Sequence, residues 1–232
     1  MKFCSYMGKS PPSLWPLIAI FLATLPVQAF AHQPNYVGNR IKITDTEPSI
    51  SRAYYGELTG QEAEYKLVAQ SSFELYLNVL SPYKAEAFRD FSVVVKDGKG
   101  TIIGMLNNPS VGWTRWYEEY AGDWYWQGPE LRMRLSTGTY TITVQNSSRS
   151  GKYVLATGED EAFPLGEMLH TLKELYLVKT KFFEEPWYSI YGGVVGRYLI
   201  YTSFVVLLIA AMIVWIVVRL VRKRVKSRQI AA

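Results

Sequence analysis

The chain is short of the residues from which compact secreted domains and metal sites are commonly built. Its 232 residues contain one cysteine, Cys4. No intramolecular disulfide and no cysteine-based zinc site can form. Two histidines, His32 and His170, exclude a three-histidine metal centre. Acidic residues are missing from both ends: residues 1–31 carry Lys2 and Lys9 with no acid, and residues 219–232 carry Arg219, Arg222, Lys223, Arg224, Lys226 and Arg228 with no acid. The formal charge of +5 therefore arises at the termini. The stretch between them has 17 basic residues against all 20 acidic ones, which argues against a nucleic-acid face. No nucleophile elbow, P-loop, glycine-rich dinucleotide turn or HExxH motif occurs. With 49% hydrophobic and 19% charged residues, the chain is not of disordered type.

Charge is also missing from two apolar runs. Leu14 to Val27 follows a basic start and precedes Gln28-Ala29-Phe30-Ala31, with small residues at −3 and −1 of a signal-peptidase site. Residues 1–31 are expected to be a signal peptide, leaving His32 as the mature N-terminus. A retained anchor is the alternative, but the run is short of the ~20 residues a span needs and contains Pro16 and Pro26. The second run, Tyr198 to Val218, has 21 uncharged residues, long enough for a ~30 Å hydrocarbon core at ~1.5 Å per residue. Trp187, Tyr188 and Tyr191 before it suit one membrane interface, and Arg219, Arg222, Lys223 and Arg224 after it suit the other. The positive-inside rule places the tail 219–232 in the cytoplasm. The expectation is a single-pass, type I protein of the cytoplasmic membrane, with lipid bilayer as one partner and no nucleic acid.

Between the runs, residues 41–157 alternate with a period of two. Phe73, Leu75, Leu77 and Val79 are interleaved with Glu74, Tyr76 and Asn78, and Tyr140, Ile142 and Val144 with threonines. Such a pattern gives each strand one buried and one wet face. Asp97-Gly98-Lys99-Gly100 and Ser136-Thr137-Gly138 read as hairpin turns. The expected fold class is an all-β ectodomain over residues 32–158, an antiparallel jelly-roll-like β-sandwich of eight or nine strands. An amphipathic juxtamembrane helix over 159–186, a membrane-interface linker over 187–197 and one transmembrane helix over 198–218 follow. The juxtamembrane helix carries Leu165, Met168, Leu169, Leu172, Leu175 and Tyr176 as its apolar stripe, which continues to Phe182 and Phe183, and runs for about five turns to Pro186. Its stripe is free to dock on the sandwich, a partner helix or the bilayer. Gly192, Gly193 and Gly196 read as a flexible joint.

The segments Glu64-Tyr65-Lys66-Leu67, Phe73-Glu74-Leu75-Tyr76-Leu77, Phe91-Ser92-Val93-Val94-Val95 with the Asp97-Gly98 turn, Gly138-Thr139-Tyr140 and Gly151-Lys152-Tyr153-Val154-Leu155 together resemble the pre-peptidase C-terminal (PPC-like) domain family over roughly residues 55–157. The resemblance implies a non-catalytic jelly-roll-like module of secreted or surface proteins, sometimes calcium-bound. The chain departs from that pattern in having no attached peptidase and in an insert at about 106–128.

That insert holds Trp113, Trp116, Tyr117, Tyr120, Trp124, Tyr125 and Trp126, interleaved with Glu118, Glu119 and Asp123. Three readings stand: a binding loop for a glycan or membrane-protein partner, a cap on the sandwich core, or a membrane-facing edge. Neighbouring carboxylates Glu118 and Glu119 point to opposite faces of a strand, which disfavours paired-carboxylate hydrolysis. The function expected is a non-catalytic binding or accessory protein with no cofactor. An alternative is a structural or trafficking protein, similar in layout to the p24 cargo receptors with their GOLD domain. A further alternative is copper binding through the amine and imidazole of His32, for which His170 is the sole candidate second histidine. Glu167-x-x-His170 has the spacing of a di-iron helix motif, but in one copy on an expected wet face with Glu174.

Overall fold

The computed structural model describes residues 32–107, 112–162 and 168–230. The expected leader, Cys4 and Glu167 lie outside these. The chain divides into two units, one over Ala29–Gly196 and one containing Arg197 onward.

The first unit is a two-sheet sandwich. Among the described residues, eleven strands run in chain order: β1 Gln33–Gly38, β2 Lys42–Asp45, β3 Arg52–Thr59, β4 Ala63–Ala69, β5 Phe73–Pro82, β6 Ser92–Lys96, β7 Ile102–Leu106, β8 Thr114–Glu118, β9 Asp123–Leu135, β10 Gly138–Gln145 and β11 Ser150–Thr157. They form a six-stranded sheet in the order β1-β3-β11-β5-β9-β8 and a five-stranded sheet in the order β2-β4-β10-β6-β7. The interior pairs are antiparallel, as the alternation implies. The edge pairs β1–β3 and β2–β4 are parallel, so the sheets are mixed rather than wholly antiparallel. The chain passes from one sheet to the other between β1 and β2 and again before β3. Two such crossings return β3 to the first sheet running the same way as β1.

The core lies between the sheets. Leu67, Leu75, Leu77, Phe91, Val93, Val95, Ile142, Val144 and Leu155 are fully buried there. Each aliphatic side chain so buried contributes about 1.5–3 kcal/mol. Tyr65 and Tyr153 enter the same core because their hydroxyls satisfy each other at 2.8 Å, which offsets the cost of burying them. The Asp97 turn forms as its sequence indicates, with the Asp97 carboxylate accepting the Lys99 and Thr101 amides at 2.9 and 2.8 Å.

One sheet face is not wet as the alternation suggested. Tyr76 and Asn78, expected on the solvent side of β5, are buried. A helical segment packs over the outer face of the six-stranded sheet and covers part of it. It consists of α1, Met168–Leu177, followed by a wider π-helical turn, Val178–Phe182. It therefore docks on its own sandwich, against β1 and β3.

This helix is shorter than expected, and only part of the expected stripe faces the sheet: Leu175, Phe182 and Phe183 are buried, whereas Tyr176 is exposed. Asp160 belongs to an isolated bridge with Ile50, not to a helix. Leu169 is 80% exposed, whereas the buried positions are Glu174 and Leu175, Val178 and Lys179, and Phe182 and Phe183. Pairs recurring every four residues drift off one face of an α-helix. The wider turn, closed by the Phe183 amide on the Val178 carbonyl at 3.0 Å, keeps them on the sheet. Glu174 leaves the expected wet cluster because its carboxylate accepts the Tyr36 amide of β1 at 2.7 Å.

A short 3-10 turn, Trp187–Tyr191, leads to α2, Gly193–Ile230. Over Gly193–Val225 that helix is long and apolar enough to cross a membrane. It begins before the expected start at Tyr198 and continues without a break into the basic tail.

Candidate functional site

The aromatic insert is a β-hairpin rather than a loop. Strands β8 and β9 pair with Trp116 opposite Tyr125, Tyr117 opposite Trp124 and Glu118 opposite Asp123. They extend the six-stranded sheet at its edge. The alternation in Asp123-Trp124-Tyr125-Trp126-Gln127 then sorts the rings onto two faces. Trp113 and Tyr125 are buried, and Trp126 is half-buried against the inter-sheet core. Trp116, Tyr117 and Trp124 remain 38%, 39% and 42% exposed, and Tyr120 in the turn is half-buried. Burial thus divides the rings: Trp113 joins the inter-sheet core, Tyr125 packs with Phe182 and Phe183 on the outer face of the sheet, and Trp116, Tyr117 and Trp124 remain exposed.

The exposed rings are organised. The Tyr117 and Trp124 rings lie 4.8 Å apart, and Tyr83 lies 6.3 Å from Trp124 and 4.7 Å from Trp126. The Arg115 guanidinium sits 3.7 Å over Trp124 and 4.7 Å from Tyr83, and Arg89 sits 4.6 Å over Trp126. The result is a ladder of rings interleaved with cations.

On the other face of the hairpin, a cleft of about 130 Å³ opens between the hairpin, β1 and α1. Its floor is small and apolar, formed by Ala53, Leu80, Val154 and Ala156. Polar groups ring it: His32, Tyr76, Asn78, Glu118 and Gln127, with Trp116 on the hairpin side. Ala53 of β3 and Val154 and Ala156 of β11 leave the space that bulkier side chains would fill.

The ionisable groups at the hairpin are strongly perturbed. Burial raises the Glu118 carboxyl, and the Ala121 and Tyr120 amides, each donating at 2.7 Å, pull it back toward ionisation. Glu118 is thereby used to cap its own turn, while Glu119 is exposed. Burial pushes Asp123 up to about 6, opposed by the Lys179 ammonium, whose Nζ lies 2.5 Å from Asp123 Oδ1. Both side chains are almost wholly buried. Burial lowers His32, whose Nε2 has no hydrogen-bond partner among the described residues.

The two histidines do not share this cleft. His170 lines a separate cavity with Gln33, Arg52 and Glu47. Among the described residues no group of three or more His, Cys, Asp or Glu side chains converges as a metal site.

The interface residues read from the sequence divide between the two units. Trp187, Tyr188 and Tyr191 are 61%, 60% and 44% exposed on the 3-10 turn of the first unit. Arg219, Arg222, Lys223 and Arg224 lie along α2, where the Arg219 guanidinium stacks 5.1 Å from Trp215.

The residues after Gly192 and Gly193 bond to the hairpin turn within the first unit. Val194 and Val195 donate their amides to the Glu119 and Tyr120 carbonyls at 2.9 and 3.1 Å. These are two of the helix-start donors that lack a partner within the helix. Gly122 and Gly193, with φ of 79° and 61°, meet so closely that a Cβ on Gly122 would stand 2.4 Å from the Gly193 nitrogen.

Lys179 and the cleft floor escaped the sequence reading. A lysine late in an amphipathic helix ordinarily lies on its wet face, so the residue type gives no sign of burial. The runs Ala53-Tyr54-Tyr55 and Val154-Leu155-Ala156, apolar on both faces, were the available signal that this sheet is covered on both sides.

No family model and no curated protein matches the chain. Among solved structures, it is similar to the pre-peptidase C-terminal domain of a collagenase from Bacillus anthracis, at 14% identity and a TM-score of 0.30, covering 53% of this chain and 95% of that one. It is also similar to a β-glucosidase from Paenibacillus barengoltzii, at 14% identity and a TM-score of 0.26, covering 54% of this chain and 13% of that one.

Proposed function

We propose that this chain is a membrane-anchored, non-catalytic accessory module whose cleft receives part of a membrane-protein partner. In this reading, residues 1–31 export the sandwich, α2 holds it at the cytoplasmic membrane, and the basic tail remains inside. The carrying observation is the cleft with an apolar floor and a polar rim between the hairpin and α1. That anatomy is the one found at protein contact surfaces. Its volume of about 130 Å³ is below the ~300 Å³ at which pockets for drug-sized ligands begin. It suits a single side chain or ring rather than a nucleotide or an organic cofactor. The perturbed acids beside it have structural work: Glu118 caps the turn and Asp123 holds Lys179.

The test is purification of the tagged full-length protein in mild detergent, beside a Trp116→Ala variant. Mass spectrometry of the wild-type preparation should find a membrane companion in stoichiometric amount. The variant should lose it while keeping its melting temperature, because Trp116 is substantially exposed. A wild-type protein that emerges alone, or a companion that survives Trp116→Ala, refutes this use of the cleft. Glycan binding to the exposed rings would then be screened.

A further inference from the structure

We propose that the β8–β9 hairpin is a second membrane contact, its exposed rings lying in the headgroup layer of the bilayer that α2 crosses. The proposal rests on the reading of α2 as a membrane span and assigns a surface separate from the cleft.

The clasp supplies the first argument. The hairpin turn bonds the amides of Val194 and Val195. The uncharged run begins at Tyr198, so Val194 stands four residues before it, roughly 6 Å at the rise of a helix. The headgroup layer on each side of the hydrocarbon core is about 5–8 Å thick. A turn bonded to Val194 and Val195 therefore lies at that layer, whatever the tilt of the sandwich. Tyr117 is two residues from Glu119, roughly 7 Å along an extended strand, and Trp124 is its cross-strand partner. Indole and phenol rings span most of the remaining distance.

Chemistry supplies the second argument. The side chains flanking the clasp are those that favour a membrane–water boundary: Trp124 and Tyr117 on the hairpin, and Trp187, Tyr188 and Tyr191 on the 3-10 turn, all substantially exposed. Amphipathic rings concentrate at this depth. The Arg115 guanidinium, stacked on Trp124 and near Tyr83, adds a cation suited to lipid phosphate within the ring cluster. The hairpin acids that would resist an anionic surface are partly withdrawn. Asp123 is buried against Lys179, and Glu118 turns back onto its own turn, leaving Glu119 exposed.

The experiment uses the full chain with Cys4→Ser, reconstituted in phosphatidylcholine vesicles containing a minority of phosphatidylglycerol. Single spin labels are placed at Tyr117→Cys and, separately, at Trp124→Cys. Val214→Cys on α2 and Thr101→Cys on the β6–β7 turn serve as references. Collision with apolar oxygen and with a water-soluble nickel complex reads depth. The hairpin labels should show an oxygen-to-nickel ratio several-fold above Thr101 and below Val214. A Thr101-like ratio at both hairpin sites with a deep Val214 overturns the hairpin contact and leaves the span standing. That is also the outcome if the rings serve a protein partner. A water-exposed Val214 overturns the span and the proposal together. Each variant is first checked for the wild-type circular dichroism spectrum. Agreement between the two hairpin sites guards against a defect from either substitution.

Discussion

Replacing Asp123 by asparagine should be among the most damaging single changes on the sandwich surface-to-helix contact. Asp123 and Lys179 are 3% and 2% exposed at the side chain, and their charged atoms are 2.5 Å apart. The nearest other carboxylate, that of Glu185, is 3.9 Å from Lys179 and is itself 40% exposed. Asparagine thus leaves an ammonium buried without an adequate counter-charge. Breaking such a pair costs about 3–5 kcal/mol. At about 2–4 °C per kcal/mol for a unit of this size, the melting temperature should fall by roughly 6–20 °C.

The reciprocal change, Lys179→Met, should behave differently. Asp123 already titrates at about 6 because burial outweighs the pull of Lys179. Without the lysine it sheds its charge by taking up a proton at still higher pH. A carboxyl raised above its unfolded value of about 3.9 favours the folded state as pH falls and opposes it as pH rises. Lys179→Met should therefore recover stability between pH 7.5 and 5.5, whereas Asp123→Asn should show no such recovery at this position. The double variant Asp123→Leu with Lys179→Met should return close to wild type, since replacing both charges by apolar groups is often neutral. Thermal unfolding of the full chain in mild detergent, followed by circular dichroism at both pH values, measures all four proteins. Wild-type melting by Asp123→Asn, or additive losses in the double variant, would refute the pairing argument.

Burial divides the tryptophans of the hairpin: Trp113→Ala should cost about 3–5 kcal/mol in thermal melts, whereas Trp116→Ala should cost far less. Burial also lowers His32, so the stabilisation tied to its neutral form is present above its unfolded value of about 6.5 and is lost as pH falls toward the lower folded value. A His32→Gln variant should show a flatter stability profile than wild type over that window. Gly193→Ala should break the clasp, because its Cβ would stand 2.5 Å from the Tyr120 carbonyl oxygen at a backbone φ of 61°. Hydrogen exchange at the Val194 and Val195 amides should accelerate, while the Val93 amide in β6 should stay protected.

What was legible in the sequence was whatever rests on local periodicity. Leu75, Leu77, Ile142 and Val144 alternate because one sheet face is dry, and they occupy the core as read. The uncharged run after Tyr198 similarly announces a helix suited to a bilayer. Properties created by distant packing were not legible. Tyr76 and Asn78 look like wet-face residues, yet His32 and Arg132 pack on Tyr76, and Asn78 donates to the Gly128 and Pro129 carbonyls. The parallel placement of β1 depends on two crossings between sheets, which leave no mark within the strand. Lys179 meets Asp123 across 56 positions of chain, and neither residue signals the other. In the insert, aromatic density was visible, but its division between core and surface was set by hairpin register. A pattern of Trp-Tyr-Trp has the same composition on either face.

The π-helical turn makes the sandwich contact a matter of counting. Deleting Thr180 would remove a side chain that is only half-buried, and would leave Val178, Lys179, Phe182 and Phe183 all present. Without it the wide turn closes as an ordinary α-turn, and Phe182 and Phe183 keep close to their place on the sheet. A one-residue insertion has no such outlet, because the wide turn is already used, and it turns everything beyond it by about 100° around the helix. The segment therefore tolerates a deletion in this turn far more readily than an insertion. Its single added residue acts as a phase shift that keeps two helical geometries in step with one flat surface.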